Sequence, residues 1–135
     1  MSRRGGCACG AIRYRVEGGL TDRANCHCRM CQRVSGAAVV AWATVRVEDL
    51  HLEAGAPRWW ASSAKGERGA CPVCGGQLFF RRQGGGPLID LTVASLDAPA
   101  EGAPQAETWT VDRQPWVRLD PALPHHVDSG PDWTP

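Results

Sequence analysis

Seven cysteines stand at positions 7, 9, 26, 28, 31, 71 and 74, in three groups spaced C-x-C, C-x-C-x-x-C and C-x-x-C. No other feature limits the possible folds as tightly. An odd count cannot pair fully as disulfides, and such short spacings suit metal ligation better than cross-linking. The expected compartment agrees. The N-terminus, MSRRGGCACG, has basic residues with no apolar stretch behind them, so no secretory signal is expected. No apolar run approaches the roughly 18 residues of a membrane span. The expected location is therefore cytoplasmic, where thiols stay reduced.

The stretch "CPVCGG", Cys71 to Gly76, reads as a zinc knuckle. Its tight turn aims two thiolates at one ion, and the following glycine accepts a positive φ that other residues resist. A structural zinc takes four ligands, so two more are needed. "GCACG", Gly6 to Gly10, is the natural donor: it too ends in glycine, and it precedes a strand-like run as "CPVCGG" precedes "QLFF". The expectation is a four-cysteine site built from Cys7, Cys9, Cys71 and Cys74.

That leaves "NCHCRMCQR", in which Cys26, Cys28 and Cys31 are close enough to bind one ion without help from distant sequence. A zinc with three protein ligands keeps its fourth position for water or substrate. His27 sits between two ligands and is expected to point away. Two other readings stand beside this one. One of His51, His125 and His126 fills the fourth place, or the triplet is a two-thiol redox pair plus a spare.

The chain has 135 residues, enough for one domain with a real core. Its net charge is +1, with 15 Lys and Arg against 14 Asp and Glu, which argues against nucleic acid and anionic membranes as partners. Arg3-Arg4 and Arg81-Arg82 read as solvated faces. Ile12, Tyr14 and Val16 alternate with Arg13 and Arg15, the pattern of a half-buried strand. The apolar, β-branched run 37–47 predicts a buried strand. Further short strands are expected in "PRWWAS", "QLFFRR", "LIDLTVASL", "ETWTV" and "PWVRL". Sixteen Gly and ten Pro leave little room for long helices. One short helix is expected at Arg29–Ser35, stopped by Gly36. The tail after Asp120 has no period. The expected organisation is one zinc-binding β domain over 1–120 and an extension over 121–135.

Taken in order, "GCACG", "NCHCRMCQRVSG" and "ERGACPVCGGQL" resemble the glutathione-dependent formaldehyde-activating enzyme family, also called the centromere protein V family. The family pattern runs G-x-C-x-C-G, then C-H-C-x-x-C with a later Gly, then R-x-F-C-x-x-C-G-x-x-L. The likeness extends from Gly6 to about Leu78, with softer echoes in "SLD" (95–97) and Pro115-Trp116. Two positions depart from the pattern: Ala70 replaces Phe, and Glu107-Thr108-Trp109 stands where a His often precedes the aromatic. The resemblance implies a mostly β fold with small sheets around a zinc-ribbon-like four-cysteine site. It also implies two Zn²⁺ per chain: a structural one on Cys7, Cys9, Cys71 and Cys74, and a second on Cys26, Cys28 and Cys31.

The implied activity joins formaldehyde to the thiol of glutathione, or reverses that step as a carbon–sulfur lyase. An open zinc lowers the pKa of a bound thiol. Three thiolates make the ion a poor Lewis acid, so thiolate delivery is expected rather than carbonyl polarisation. Arg58, Arg68 and Arg81 are candidates for the carboxylates of glutathione, because guanidinium forks suit them. The alternative expectation is a non-catalytic zinc module for a thiol or protein partner.

Overall fold

A computed structural model describes residues 1–130. Ten strands and one α-helix follow one another as β1 (Ser2–Gly6), β2 (Arg13–Glu17), β3 (Thr21–Cys26), α1 (Arg29–Ser35), β4 (Val40–Arg46), β5 (Leu50–Ala54), β6 (Arg58–Ala61), β7 (Gly66–Ala70), β8 (Gln77–Arg82), β9 (Leu88–Thr92) and β10 (Ala106–Thr108). The fold is mostly β, as expected. Three strands form one sheet in the order β1-β2-β5, and seven form the other in the order β10-β3-β4-β9-β8-β7-β6. All pairings are antiparallel except that of β10 with β3. No helix is long and apolar enough to cross a membrane.

The alternation that runs into β2 sends Ile12, Tyr14 and Val16 into the core, all at most 1% exposed. They meet Ala43 and Val45 of β4, Leu78 and Phe79 of β8, and Ile89 and Leu91 of β9. The Tyr14 and Phe79 rings meet edge to face, 5.4 Å between centroids, and Trp59 stacks on Phe79 at 6.2 Å. Burial and ring packing are the main stabilising terms of this core. The Tyr14 hydroxyl shares a 2.7 Å hydrogen bond with Ser95, and burial pushes its pKa up to about 12. Asp97, from the same "SLD" echo, holds Arg13 at 2.9 and 2.5 Å.

The helix matches its expected bounds. Cys28 caps its start by accepting from the Cys31 N–H, and the Gly36 N–H closes its end on Gln32. Other expectations need correction. The run 37–47 becomes extended only at Val40 and breaks into a 3-10 turn at Val47. "LIDLTVASL" is a strand to Thr92 and a 3-10 turn from Val93. "ETWTV" ends as a strand at Thr108, because Trp109 adopts a left-handed φ of 55°. "PWVRL" forms no strand. Strands β1, β3, β5 and β7 are additions with no sequence signal behind them. The tail runs beside β10: His126 N–H donates to Glu107 O at 2.8 Å, and Glu107 N–H to Pro124 O at 2.9 Å. The expected extension over 121–135 is described as far as 130, and its last five residues lie outside the described ones.

Gly5 faces Tyr14 across the small sheet. A Cβ there would lie 2.4 Å from the Tyr14 hydroxyl oxygen and 2.6 Å from Ser95 O. Both neighbours are fixed by their mutual contact, so Gly5→Ala is expected to destabilise the protein by about 1–3 kcal/mol. At Gly19 nothing lies within 4 Å, and Gly19→Ala should change stability by less than about 0.5 kcal/mol. Urea unfolding midpoints of the two variants test the difference.

Candidate metal centres

The structure gathers the cysteines into two groups. The thiols of Cys7, Cys9, Cys71 and Cys74 lie within 4.8 Å of one another, and so do those of Cys26, Cys28 and Cys31. All seven are free of disulfides.

The four-thiol group is made by two similar turns. In the first, Gly10 N–H closes on Cys7 O at 3.2 Å and Cys7 N–H on Ile12 O at 3.1 Å. In the second, Gly75 N–H closes on Cys71 O at 2.9 Å and Cys71 N–H on Gly76 O at 3.0 Å, with Gly75 at a φ of +76°. Strand β2 follows the first turn and β8 the second, so the core that joins those strands also joins the turns. The Sγ–Sγ separations of 3.6 Å for Cys7–Cys9 and 3.8 Å for Cys9–Cys71 suit a tetrahedral ion. Four sulfurs at ~2.3 Å from zinc would stand about 3.8 Å apart. Backbone N–H groups of Ala11, Ile12, Val73 and Cys74 point at the sulfurs from 3.2 to 3.5 Å, as anionic thiolates require. Burial works against ionisation of Cys7, yet the Ile12 N–H and the neighbouring thiols bring it down to about 6.

The three-thiol group sits where β3 passes into α1. Cys26 ends the strand, Cys28 caps the helix and Cys31 lies buried in its first turn. The loop between is pinned from behind. His27 turns away from the thiols and is 1% exposed, with Nε2 at 2.6 Å from Glu107 Oε1. Glu107 also accepts from Asn25 Nδ2 and from Asp120 N–H, both at 3.2 Å. Burial opposes the charge of Glu107, but these donors, His27 foremost, hold its carboxyl below the usual range. Gln32 donates to His27 O at 2.6 Å and to Asp112 O at 3.2 Å, and the Asp112 carboxylate accepts from Arg29 N–H at the helix start.

Among the described residues no fourth His, Cys, Asp or Glu joins the three thiols, and His51, His125 and His126 all lie elsewhere. What does approach is Arg68, with Nη1 3.6 Å and Nη2 3.5 Å from Cys31 Sγ. Hydrogen bonds from Cys26 and Cys28, then the charge of Arg68, hold the Cys31 thiol well below its ordinary range. Arg68 was expected as a surface fork for carboxylates; its burial corrects that. Arg81 is also engaged, with Nε 2.5 Å from Glu67 and its guanidinium 3.7 Å over Trp59. Arg58 is exposed but lines a cleft beside the Cys71–Gly75 turn, against the four-thiol group. Sequence reasoning missed the His27–Glu107 pair, because its members stand eighty positions apart.

The description "Glutathione-dependent formaldehyde-activating enzyme" belongs to a family model that matches residues 2–112. No curated protein matches the chain significantly. A crystal structure of a Rhodobacter sphaeroides protein, a structural-genomics target, superposes with a TM-score of 0.57 at 28% identity. The superposition covers 70% of this chain and 87% of that one.

The two groups should fail differently. Cys74→Ser opens the junction of two turns that tie residue 6 to residue 76, so it should lower the melting temperature sharply. Cys28→Ser should leave a folded chain with one metal fewer. Calorimetry with metal analysis decides, and equal destabilisation would contradict the division. A pH effect is expected on the same face of the large sheet. Asp90 accepts from Thr44 Oγ1 at 2.6 Å, and burial pushes its carboxyl from 3.8 up to about 6. A folded-state pKa above the unfolded one makes the ionised group a cost. That cost is full above about pH 6 and fades as pH falls toward 4. Asp90→Asn should therefore stabilise the fold by roughly 1–2 kcal/mol at pH 7.5 and by clearly less at pH 5.5. Denaturant titrations at the two pH values measure this.

Proposed function

The chain belongs to the glutathione-dependent formaldehyde-activating enzyme family, and from that premise we propose that it is a zinc-dependent carbon–sulfur lyase and synthase acting on a small thiol adduct such as S-hydroxymethylglutathione. One observation carries the reading: one cysteine group closes at four thiols and the other stops at three, with no further ligand among the described residues. Cys7, Cys9, Cys71 and Cys74 would hold a structural zinc. Cys26, Cys28 and Cys31 would hold a second, whose fourth position is left for the substrate sulfur. The working unit is the β domain over 1–120, with 121–135 as its extension, acting in the cytoplasm on glutathione.

The reaction is an addition. The glutathione sulfur attacks the formaldehyde carbon, a C–S bond forms, and the C=O π pair moves onto oxygen. That oxygen takes up the proton the thiol gives up, and the lyase direction runs the same changes backward. Cys26, Cys28 and Cys31 would hold the second zinc, which would lower the pKa of a bound thiol so that the nucleophile is present at neutral pH. The chain's own contribution is placement. His27, Glu107 and Gln32 fix the ligand loop from behind, and Arg68 supplies a positive charge beside Cys31.

Cobalt tests this directly, because sulfur-to-cobalt charge-transfer absorption grows with each thiolate bound. With Co²⁺ in the three-thiol group, adding glutathione should raise that band. S-Methylglutathione has the same peptide but no ionisable thiol, so it should leave the band unchanged. A Cys28→Ser variant is the control. Identical spectra with both peptides would mean the thiol does not reach the metal, and the non-catalytic zinc module would replace this reading.

A further inference from the structure

Arg68, on β7, is only 5% exposed. A guanidinium does not shed its proton in a protein, so its charge stays with it in the interior and must be met there. Among the described residues no carboxylate forms an ion pair with it. Both terminal nitrogens instead fork onto the single atom Cys31 Sγ. Nη1 also donates to Gln77 Oε1 at 2.7 Å, and Nε has no partner. Its Cζ lies 5.8 Å from the Trp42 ring centroid and 5.3 Å from that of Phe80, two rings that pack against each other, so the group is held beside an aromatic pair. A neutral thiol is a weak acceptor and would leave this charge uncompensated; a thiolate compensates it.

We propose that Arg68 sets the net charge of the three-cysteine centre and thereby selects an anionic fourth ligand, a thiolate, over a neutral one. This rests on the reading of that centre as an open metal site. A divalent ion with three thiolates carries one net negative charge, which repels a further anion. The guanidinium cancels it. A fixed charge this close, at intermediate effective dielectric, changes affinity for an incoming anion by about ten- to a hundredfold and leaves a neutral ligand nearly untouched. Arg68 is in this sense a specificity-determining residue acting through Cys31. The fork that suited it to carboxylates in the sequence is already spent on sulfur.

The test uses Co²⁺ in the three-cysteine centre of the wild type, Arg68→Met and Arg68→Lys. Each is titrated with 2-mercaptoethanol, which has no carboxylate, and with imidazole, which is neutral. Arg68→Met should bind 2-mercaptoethanol about ten- to a hundredfold more weakly and imidazole with unchanged affinity, and Arg68→Lys should fall between for the thiol. Equal weakening toward both ligands, or toward neither, overturns the proposal. So does failure of Arg68→Met to hold Co²⁺, which would make Arg68 part of the scaffold. If the wild type takes up no sulfur from 2-mercaptoethanol, the thiol-binding function itself falls. If the wild type binds it and Arg68→Met binds it equally well, only the role given to Arg68 falls.

Discussion

Charge on buried or half-buried sulfur must be met by an ion, a donor or an opposite charge, and both cysteine groups are built around that requirement. At the four-thiol group the answer is backbone: the two turns aim N–H groups at the sulfurs. At the three-thiol group there are fewer such donors, with Cys31 N–H on Cys28 the one at hand. The difference is made up by a side chain brought across the large sheet. Strands β4, β9 and β8 separate β3 from β7 in the sheet, so the contact is made by the long Arg68 side chain with Cys31 on α1, the helix that follows β3.

The two groups are also mechanically linked. Strand β7 carries Arg68 and runs straight into Cys71. Anything that loosens the four-thiol junction loosens the end of the strand that delivers the guanidinium to the other centre. On the far side, β10 and the tail secure Glu107, and through it the loop bearing Cys26 and Cys28. The three-thiol centre thus draws its support from β10 at one edge of the large sheet and from β7 towards the other, although its thiols come from one short stretch of chain.

Much of this was legible in the sequence. Cysteine spacing separated four from three, and the alternation of Ile12, Tyr14 and Val16 marked the core strand. The helix was readable from Arg29 to its glycine stop. What was not legible depended on contacts distant in sequence. Strand β7 reads "GERGA", with two glycines that argue against a strand. The sheet needs them: a Cβ on Gly66 would stand 2.5 Å from the Phe80 ring, and one on Gly69 3.1 Å from Trp59. Strand β3, "TDRANC", is polar and has a register break between Thr21 and Ala24, so no alternation could reveal it. Arg68 read as a candidate fork for carboxylates, since nothing local to "ERGAC" announces that Cys31 waits across the sheet. Glu107, read as a departure from the family pattern, is the buried partner of His27.

The pairing of β10 with β3 joins parts of the chain made far apart in time. Cys26, Cys28 and Cys31 are made within six residues of one another, so their chelating set is complete when less than a quarter of the chain has been synthesised. Their supports come later. Arg68 follows Cys31 by 37 residues, and Glu107 follows His27 by 80. Until Arg68 is made, the nascent chain carries three thiols with neither the guanidinium that balances them nor the carboxylate that holds their loop, and the carboxylate comes later still. Closing loops of that length is the slow, entropically opposed part of folding. The three thiols are therefore in place well before the groups that balance their charge and hold their loop.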